Sequence, residues 1–98
     1  MPSPTFAIVS AVYGVARYLP EFFASLESQT YAHENLKVIL VDDGSVDGSG
    51  DLCERWAAST TLQVEVIRQQ NAGQATARNA GIDHLGAEDW VTFTALRI

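Results

Sequence analysis

Short apolar runs recur along the chain and predict four strands. Residues 5–12 are apolar or small almost without interruption, which is typical of a central strand buried on both faces. Residues 36–41 form a second run of this kind. In residues 62–67 apolar and polar residues partly alternate, so this third strand is predicted nearer an edge of the sheet. Residues 90–94 predict the fourth strand.

The segments between these strands have apolar residues at helical spacing. The first predicted helix covers residues 19–29, where Pro20 is tolerated only in the first turn. The second helix follows the second strand, and Asp47 or Ser49 can cap it. The third covers residues 73–85, and small residues on one side would let it lie close to a sheet.

The alternation of strands and helices predicts the class of fold. Strand, helix, strand, helix, strand, helix, strand requires parallel pairing with right-handed crossovers. We therefore expect an α/β fold, with an open, mostly parallel sheet of about four strands and helices on both faces. The length of 98 residues allows one hydrophobic core, so residues 1–98 are predicted to form one domain.

Composition and charge narrow the class of partner. The formal net charge of −6, with six Lys and Arg residues in all, argues against a nucleic-acid partner, because phosphate backbones bind clusters of basic side chains. A single cysteine, Cys53, excludes an internal disulfide and favours a reducing compartment. No apolar stretch reaches the ~20 residues that span a bilayer, and the start lacks the features of a signal peptide. We expect no membrane segment and a cytoplasmic location.

Two adjacent acids, Asp42 and Asp43, come directly after the second strand. In an open parallel sheet ligands bind beyond the carboxyl ends of the strands. Neighbouring side chains of a strand point to opposite faces, so one acid can face this crevice while the other bonds backbone amides. A carboxylate there could accept hydrogen bonds from a nucleobase, and Gly44 would allow close approach of the backbone. The alternative is that both acids cap the next helix.

Two motifs carry a resemblance to a known family. Residues 41–48 read Val-Asp-Asp-Gly-Ser-Val-Asp-Gly, and residues 71–81 read Asn-Ala-Gly-Gln-Ala-Thr-Ala-Arg-Asn-Ala-Gly. In this order and spacing they closely resemble the family-2 glycosyltransferases of the GT-A type. The first strand, the end of the first helix and the fourth strand also match, so the resemblance covers nearly the whole chain. It implies that the chain is the amino-terminal, nucleotide-binding part of such an enzyme, with a nucleoside-diphosphate sugar as its ligand.

The resemblance also nominates site residues. It implies that the residues after the first strand contact the nucleoside, that the first acid of the pair reads the base, and that a glycine and an arginine of the second motif lie near the nucleotide. The arginine suits a diphosphate because its guanidinium makes forked hydrogen bonds; the alternative for it is an ion pair with Asp83 or another acid. The candidate nucleotide-binding residues are Ala11, Val12, Tyr13, Asp42, Asp43, Gly73 and Arg78.

The chain departs from the family where catalysis would take place. Family members carry an Asp-x-Asp or Asp-Asp segment after the fourth strand, and it holds Mg²⁺ or Mn²⁺ on the diphosphate; this chain has Ala-Leu-Arg-Ile at residues 95–98. None of these is a carboxylate ligand, so we predict no metal-binding residues and a chain truncated before that segment. The acceptor platform and the general base are also expected elsewhere, so no catalytic residue is assigned and the chain alone is predicted inactive.

Two other classes of function share features with this sequence. A non-catalytic binding or assembly module could use the same half-domain and self-associate through sheet surface left exposed. A receiver-type signalling domain has a similar acidic strand end, but there the acids follow the first strand, whereas here they follow the second. The assembly module is therefore the alternative that we keep.

Overall fold

The computed structural model describes residues 4–29, 31–86, 88 and 90–97. In chain order the elements are β1 (Phe6–Tyr13), α1 (Leu19–Glu27), β2 (Leu36–Asp43), α2 (Ser49–Ser59), β3 (Gln63–Gln69), α3 (Gln74–Asp83) and β4 (Trp90–Arg97). Single 3-10 turns precede α1 and β2. Every predicted strand and helix is present, and the differences lie at their ends.

The strands form one parallel sheet in the order β3-β2-β1-β4. The prediction of an α/β fold with a mostly parallel four-stranded sheet is confirmed. So are the central position of β1 and the edge position of β3. Two consecutive crossovers step from β1 through β2 to β3, and the third returns the chain to the far side of β1.

Helices cover both faces of the sheet, as predicted. On one face α1 and α2 cover a cluster of buried residues that includes Val38 and Leu40 of β2. Phe23 of α1 stacks on Trp56 of α2 there, with ring centroids 4.3 Å apart and planes within 5° of parallel. On the other face α3 covers a smaller cluster that includes Ile39 of β2. Even-numbered residues of β2 belong to the cluster under α1 and α2, and odd-numbered residues to the cluster under α3, so β2 is buried on both faces.

Small residues let α3 lie directly on the sheet, as the sequence predicts. Ala77 is fully buried, and Gly81 faces Val9 of β1 so closely that an added Cβ would lie 2.3 Å from Val9 Cγ1. Side chains of ordinary size on this side would push the helix away from β1. The short spacing therefore depends on these two positions.

Some predicted boundaries need correction. β2 continues through both acids to Asp43, because their backbones pair with Arg68 and Gln69 of β3. β4 continues to Arg97, which pairs with Tyr13, so residues 95–97 lie in the strand and not after it. The first helix ends at Glu27, and the third covers Gln74–Asp83, shorter than predicted.

The cap of α2 also differs from the prediction. Its N-cap is Gly48, whose φ of +88° is in the left-handed region. Asp47 still accepts the hydrogen bond of the first helical N–H, from Ser49, at 3.1 Å. Pro20 lies in the first turn of α1, as expected.

Candidate nucleotide site at the strand ends

The carboxyl ends of β1, β2 and β3 place three loops side by side. The crossovers on the two sides of β1 run in opposite directions, so the sheet has a switch point between β1 and β4. Open α/β sheets bind ligands in the crevice outside such a point. The loops at this edge are residues 14–18, 44–48 and 70–73; they include Gly73 and directly follow Tyr13 and Asp43.

Asp43 is fully buried, on the α3 side of β2. Its Oδ1 accepts hydrogen bonds from Gln69 Nε2 and the Ala72 N–H, both at 2.8 Å. Its Oδ2 accepts the Gly73 N–H at 3.1 Å and a longer bond of 3.4 Å from Asn71 Nδ2. These donors occupy both carboxylate oxygens, so Asp43 holds the loop before α3 in place, which is the backbone-binding role expected for one acid of the pair.

Asp42 lies on the opposite side of β2 and is 2% exposed. Its Oδ1 accepts the Ser45 N–H at 3.1 Å, and its Oδ2 lies 3.6 Å from Arg68 Nε. Fewer donors therefore surround Asp42 than Asp43, and its carboxylate keeps acceptor capacity. It lines an open groove of about 460 Å³ together with Gly44, Ser45 and residues 68–71.

Arg68 belongs to this groove although the sequence analysis did not nominate it. Besides Asp42, its guanidinium contacts Asp51 Oδ1 at 2.9 Å and Glu54 Oε2 at 3.2 Å, both on α2. The hydrogen bond to Asp51 raises the pKa of Arg68 further. Gly50 makes room for the pair, since an added Cβ would lie 2.4 Å from Asp42 Oδ2 and 2.6 Å from Arg68 Nη2. The sequence could have indicated Arg68 through the strand register. When β2 and β3 pair in parallel, Asp42 and Arg68 lie side by side on neighbouring strands.

Gly44 lies against the loop that precedes α3. Its φ is +78°, and an added Cβ would lie 2.6 Å from the backbone nitrogen of Asn71. The close approach it allows is therefore to the loop that precedes α3. Asn71 in turn donates from Nδ2 to the Asp43 backbone oxygen at 3.0 Å.

Arg78 and Ala11 line a second concavity, of about 340 Å³, between α3 and the β1–β4 pair. Gln74 and Ala75 from the first turn of α3 border it, as do Phe93 and Thr94 of β4. The guanidinium carbon of Arg78 lies 5.8 Å from the centre of the Phe93 ring, a cation–π contact. Among the described side chains, no ion pair joins Arg78 to Asp83.

The other predicted site residues, Tyr13, Gly73 and Val12, differ in their exposure and in their contacts. Tyr13 ends β1 and is 37% exposed. Gly73 is the N-cap of α3, with φ +97°, and its N–H bonds to Asp43. Val12 is fully buried in the core beneath α1 and α2, so only its backbone could contact a nucleotide. The structure thus brings Asp43 and Gly73 together, and Ala11 with Arg78, while Asp42 lies in the separate groove with Arg68.

A divalent cation does not fit the residues at the end of β4. The chain has Ala95, Leu96 and Arg97 there, and none of these residue types offers a carboxylate. Within the described ranges no group of three His, Cys, Asp or Glu residues could hold a metal ion. No catalytic step through a metal can be derived from this chain.

The family model for glycosyl transferase family 2 matches residues 7–94, which include both groups of site residues. The chain belongs to glycosyl transferase family 2. Its similarity extends to curated family members: it is 35% identical over 86 residues to glycosyltransferase GlyA of Streptococcus pneumoniae, covering 88% of this chain and 12% of GlyA. It is 38% identical over 81 residues to glycosyltransferase GlyG of the same species, covering 82% of this chain and 26% of GlyG.

Solved structures agree with this family-2 assignment. Mannosyltransferase PcManGT from Pyrobaculum calidifontis, solved in complex with GDP-Man and Mn²⁺, matches 85% of this chain and 25% of its own with a TM-score of 0.80 and 26% identity. S. aureus TarS 1-349, solved with UDP-GlcNAc, matches 93% of this chain and 26% of its own with a TM-score of 0.84. At 24% identity the TarS match shows the shared fold alone. The chain spans about a quarter or less of the length of these proteins.

In the part of the chain that the structure describes, no helix is long and apolar enough to cross a membrane. Cys53 is a free, buried residue of α2.

Proposed function

We propose that this family-2 chain binds the nucleoside-diphosphate part of a sugar donor, as one part of a transferase that passes the sugar to a hydroxyl acceptor. The observation that carries the proposal is the difference in hydrogen bonding between the two acids. Among the described residues, four donors of the chain reach the Asp43 carboxylate, whereas Asp42, 2% exposed in the wall of an open groove, is reached by the Ser45 N–H and the Arg68 guanidinium. A ligand with N–H groups suits Asp42, and a nucleobase offers them.

The two concavities suggest how the nucleotide would lie. The base would enter the groove of Asp42 and Arg68 beyond β2 and β3, and the diphosphate would point towards Arg78 beside β1 and β4. Tyr13 and the backbone of Val12 lie at the end of β1, between these places in the strand order, where they could contact the ribose or base. Gly73 caps α3 and donates its N–H to Asp43, and the next residues of the first turn, which border the concavity of Arg78, would offer the positive end of the helix dipole to the phosphates.

Titration of UDP and GDP against the purified chain tests this proposal. We expect saturable binding by calorimetry, and Arg78→Met should weaken it about tenfold, because a charge-assisted hydrogen bond to phosphate is lost. Arg55→Met is the matched control, since Arg55 is an exposed arginine of α2. Asp42→Asn should also weaken binding of the nucleotide but leave inorganic pyrophosphate binding unchanged. Absence of binding at about 10 mM ligand, in a sample folded by circular dichroism, would refute the proposal.

Metal dependence is a separate arm of this titration. Because the end of β4 offers no carboxylates, Mn²⁺ should leave the affinity of this chain for UDP or GDP unchanged. Clearly tighter binding of UDP or GDP with Mn²⁺ would contradict this expectation and would show that the chain has metal-binding residues. Sugar transfer by the chain alone is not expected, because no acceptor surface or general base has been assigned to it.

The place of the chain in a longer protein is also a proposal. We interpret residues 1–98 as the amino-terminal part of a glycosyltransferase domain, consistent with their match to a quarter or less of GlyA and PcManGT. The DNA after codon 98 tests this interpretation.

A cytoplasmic location rests on the single cysteine and is tested by fractionating cells that express the tagged chain.

An assembly module is the second candidate, and the surface of β4 favours it. On the α3 face of β4, Phe93 is 45% and Val91 38% exposed; Trp90, on the opposite face, is 60% exposed, and β4 is an edge of the described sheet. Exposed apolar side chains at a sheet edge favour association with another surface. Sedimentation should then show reversible dimers, and a strict monomer at about millimolar concentration would exclude this candidate.

A further inference from the structure

The loop after β1 is held by side chains from the loop after β2. Three consecutive backbone N–H groups take part: Gly14 donates to Ser45 Oγ at 3.0 Å, Val15 to Ser49 Oγ at 3.1 Å, and Ala16 to Asp47 Oδ2 at 3.1 Å. Backbone donors in a loop have no ladder to satisfy them, so side-chain acceptors decide which conformation the loop adopts. Here one short segment, residues 45–49, supplies all three acceptors.

Asp47 orients two of these three bonds. Its Oδ2 accepts the Ala16 N–H directly, and its Oδ1 accepts both the Ser49 N–H at 3.1 Å and the Ser49 hydroxyl at 2.6 Å. Because the hydroxyl proton of Ser49 points to Asp47, a lone pair of Ser49 Oγ is left for the Val15 N–H. The hydrogen bond from Ser49 also lowers the pKa of Asp47, so the carboxylate stays ionised in ordinary buffers.

The same loop is linked to the candidate base-reading acid. The Ser45 N–H donates to Asp42 Oδ1, while Ser45 Oγ accepts from Gly14, the residue after Tyr13. The end of β1 and the acid of β2 are therefore joined through a single residue, and Asp47 secures the following turn of the same connection. Removal of the Asp47 carboxylate would free the loop without opening the core, since Asp47 itself is exposed.

We infer that Asp47 is a positioning residue for nucleoside binding: through Ala16 and Ser49 it fixes the loop that follows Tyr13 relative to Asp42. This inference rests on the proposed function, because it assigns Tyr13 and Asp42 to the nucleoside. Asp47 acts through the loop and contacts no ligand. Its loss should therefore affect the nucleoside part of a ligand and spare the diphosphate part.

The experiment compares Asp47→Ala with the native chain and with Asp83→Ala, a matched loss of an exposed acid at the end of α3. Each protein is titrated with UDP, GDP and inorganic pyrophosphate. For D47A we expect about tenfold weaker binding of the nucleotide that the native chain prefers, and unchanged pyrophosphate binding. Amide hydrogen exchange should accelerate at Val15 and Ala16, and less at Gly14, whose acceptor is Ser45. D83A should match the native chain.

The outcomes separate the inference from the function on which it rests. If the native chain binds neither nucleotide, the proposed function fails and the inference fails with it. If the native chain binds and folded D47A binds equally well, the inference alone is overturned. Equal weakening of nucleotide and pyrophosphate would also overturn it, because that pattern indicates a general loss of structure. Should D47A not fold, D47N keeps one acceptor oxygen and should weaken nucleotide binding about threefold, again sparing pyrophosphate.

Discussion

Substitution of Asp43 by asparagine tests the division of roles between the two acids. An asparagine retains one acceptor oxygen, and its NH₂ group cannot accept the hydrogen bonds that reach the other position. If the oxygen keeps Gln69 Nε2 and the Ala72 N–H, the NH₂ group faces the Gly73 N–H. The variant therefore loses one acceptor oxygen, and the oxygen that remains is no longer charged. Both losses occur inside a fully buried site.

The size of the effect follows from these contacts. An unsatisfied buried donor costs about 1–3 kcal/mol, and loss of charge assistance at the remaining bonds adds about 1 kcal/mol, so D43N should unfold about 2–4 kcal/mol more easily. For a domain of this size that corresponds to a fall in Tm of roughly 10–25 °C. Folded domains have only about 5–15 kcal/mol of stability in total, so the variant should be clearly compromised.

Urea unfolding followed by circular dichroism measures this difference, with Asp83→Asn as a control that removes an exposed acid. D83N should unfold within about 0.5 kcal/mol of the native chain. A loss below about 1 kcal/mol in D43N would refute the reasoning, since the four donors would then not depend on the carboxylate. If D43N kept its stability and lost nucleotide binding, the roles that we assign to Asp42 and Asp43 would have to be exchanged.

Two further substitutions test the packing and the pH dependence. Gly81→Ala should destabilise the chain by about 1–2 kcal/mol in urea unfolding, because a Cβ 2.3 Å from Val9 Cγ1 forces movement that outweighs the helix propensity of alanine, worth about 1 kcal/mol. Hydrogen bonds from Thr60 and Trp56 lower the pKa of Glu27 from its usual value of 4.5. Ionised Glu27 therefore stabilises the fold above pH 4.5, and this stabilisation is lost as the pH falls through the lowered pKa. Glu27→Gln should therefore narrow the difference in stability between pH 6 and pH 3, measured by urea unfolding at each pH.

A matched control and a contradicting outcome give these two results their meaning. Thr76→Ala changes an exposed position of α3, so it should stabilise slightly through propensity alone. Stabilisation by Gly81→Ala of the same size would show that the helix does not lie as close to β1 as described. For Glu27, an unchanged difference in stability between pH 6 and pH 3 in E27Q would contradict the assigned role.

Local pattern predicted the elements well because periodicity depends on near neighbours in the chain. The seven elements, the parallel class and the opposite orientation of Asp42 and Asp43 all follow from the order of apolar and polar residues. Strand ends were less predictable. Pairing with β3 and β1 extends β2 and β4 beyond the apolar runs, and such pairing is decided by partners far away in sequence.

The fold class and the family could be predicted from motif spacing and from the alternation of apolar and polar residues, because both can be read without knowledge of contacts. The bonding of the two acids depends on tertiary contacts. The partnership of Asp42 with Arg68 comes from strand register, and the donors around Asp43 come from the end of β3 and the loop after it, 26 to 30 residues away. The bonds from residues 14–16 to the loop of Asp47 span 31 to 34 residues. Such contacts depend on where the sheet brings its loops together, and no local pattern encodes that position.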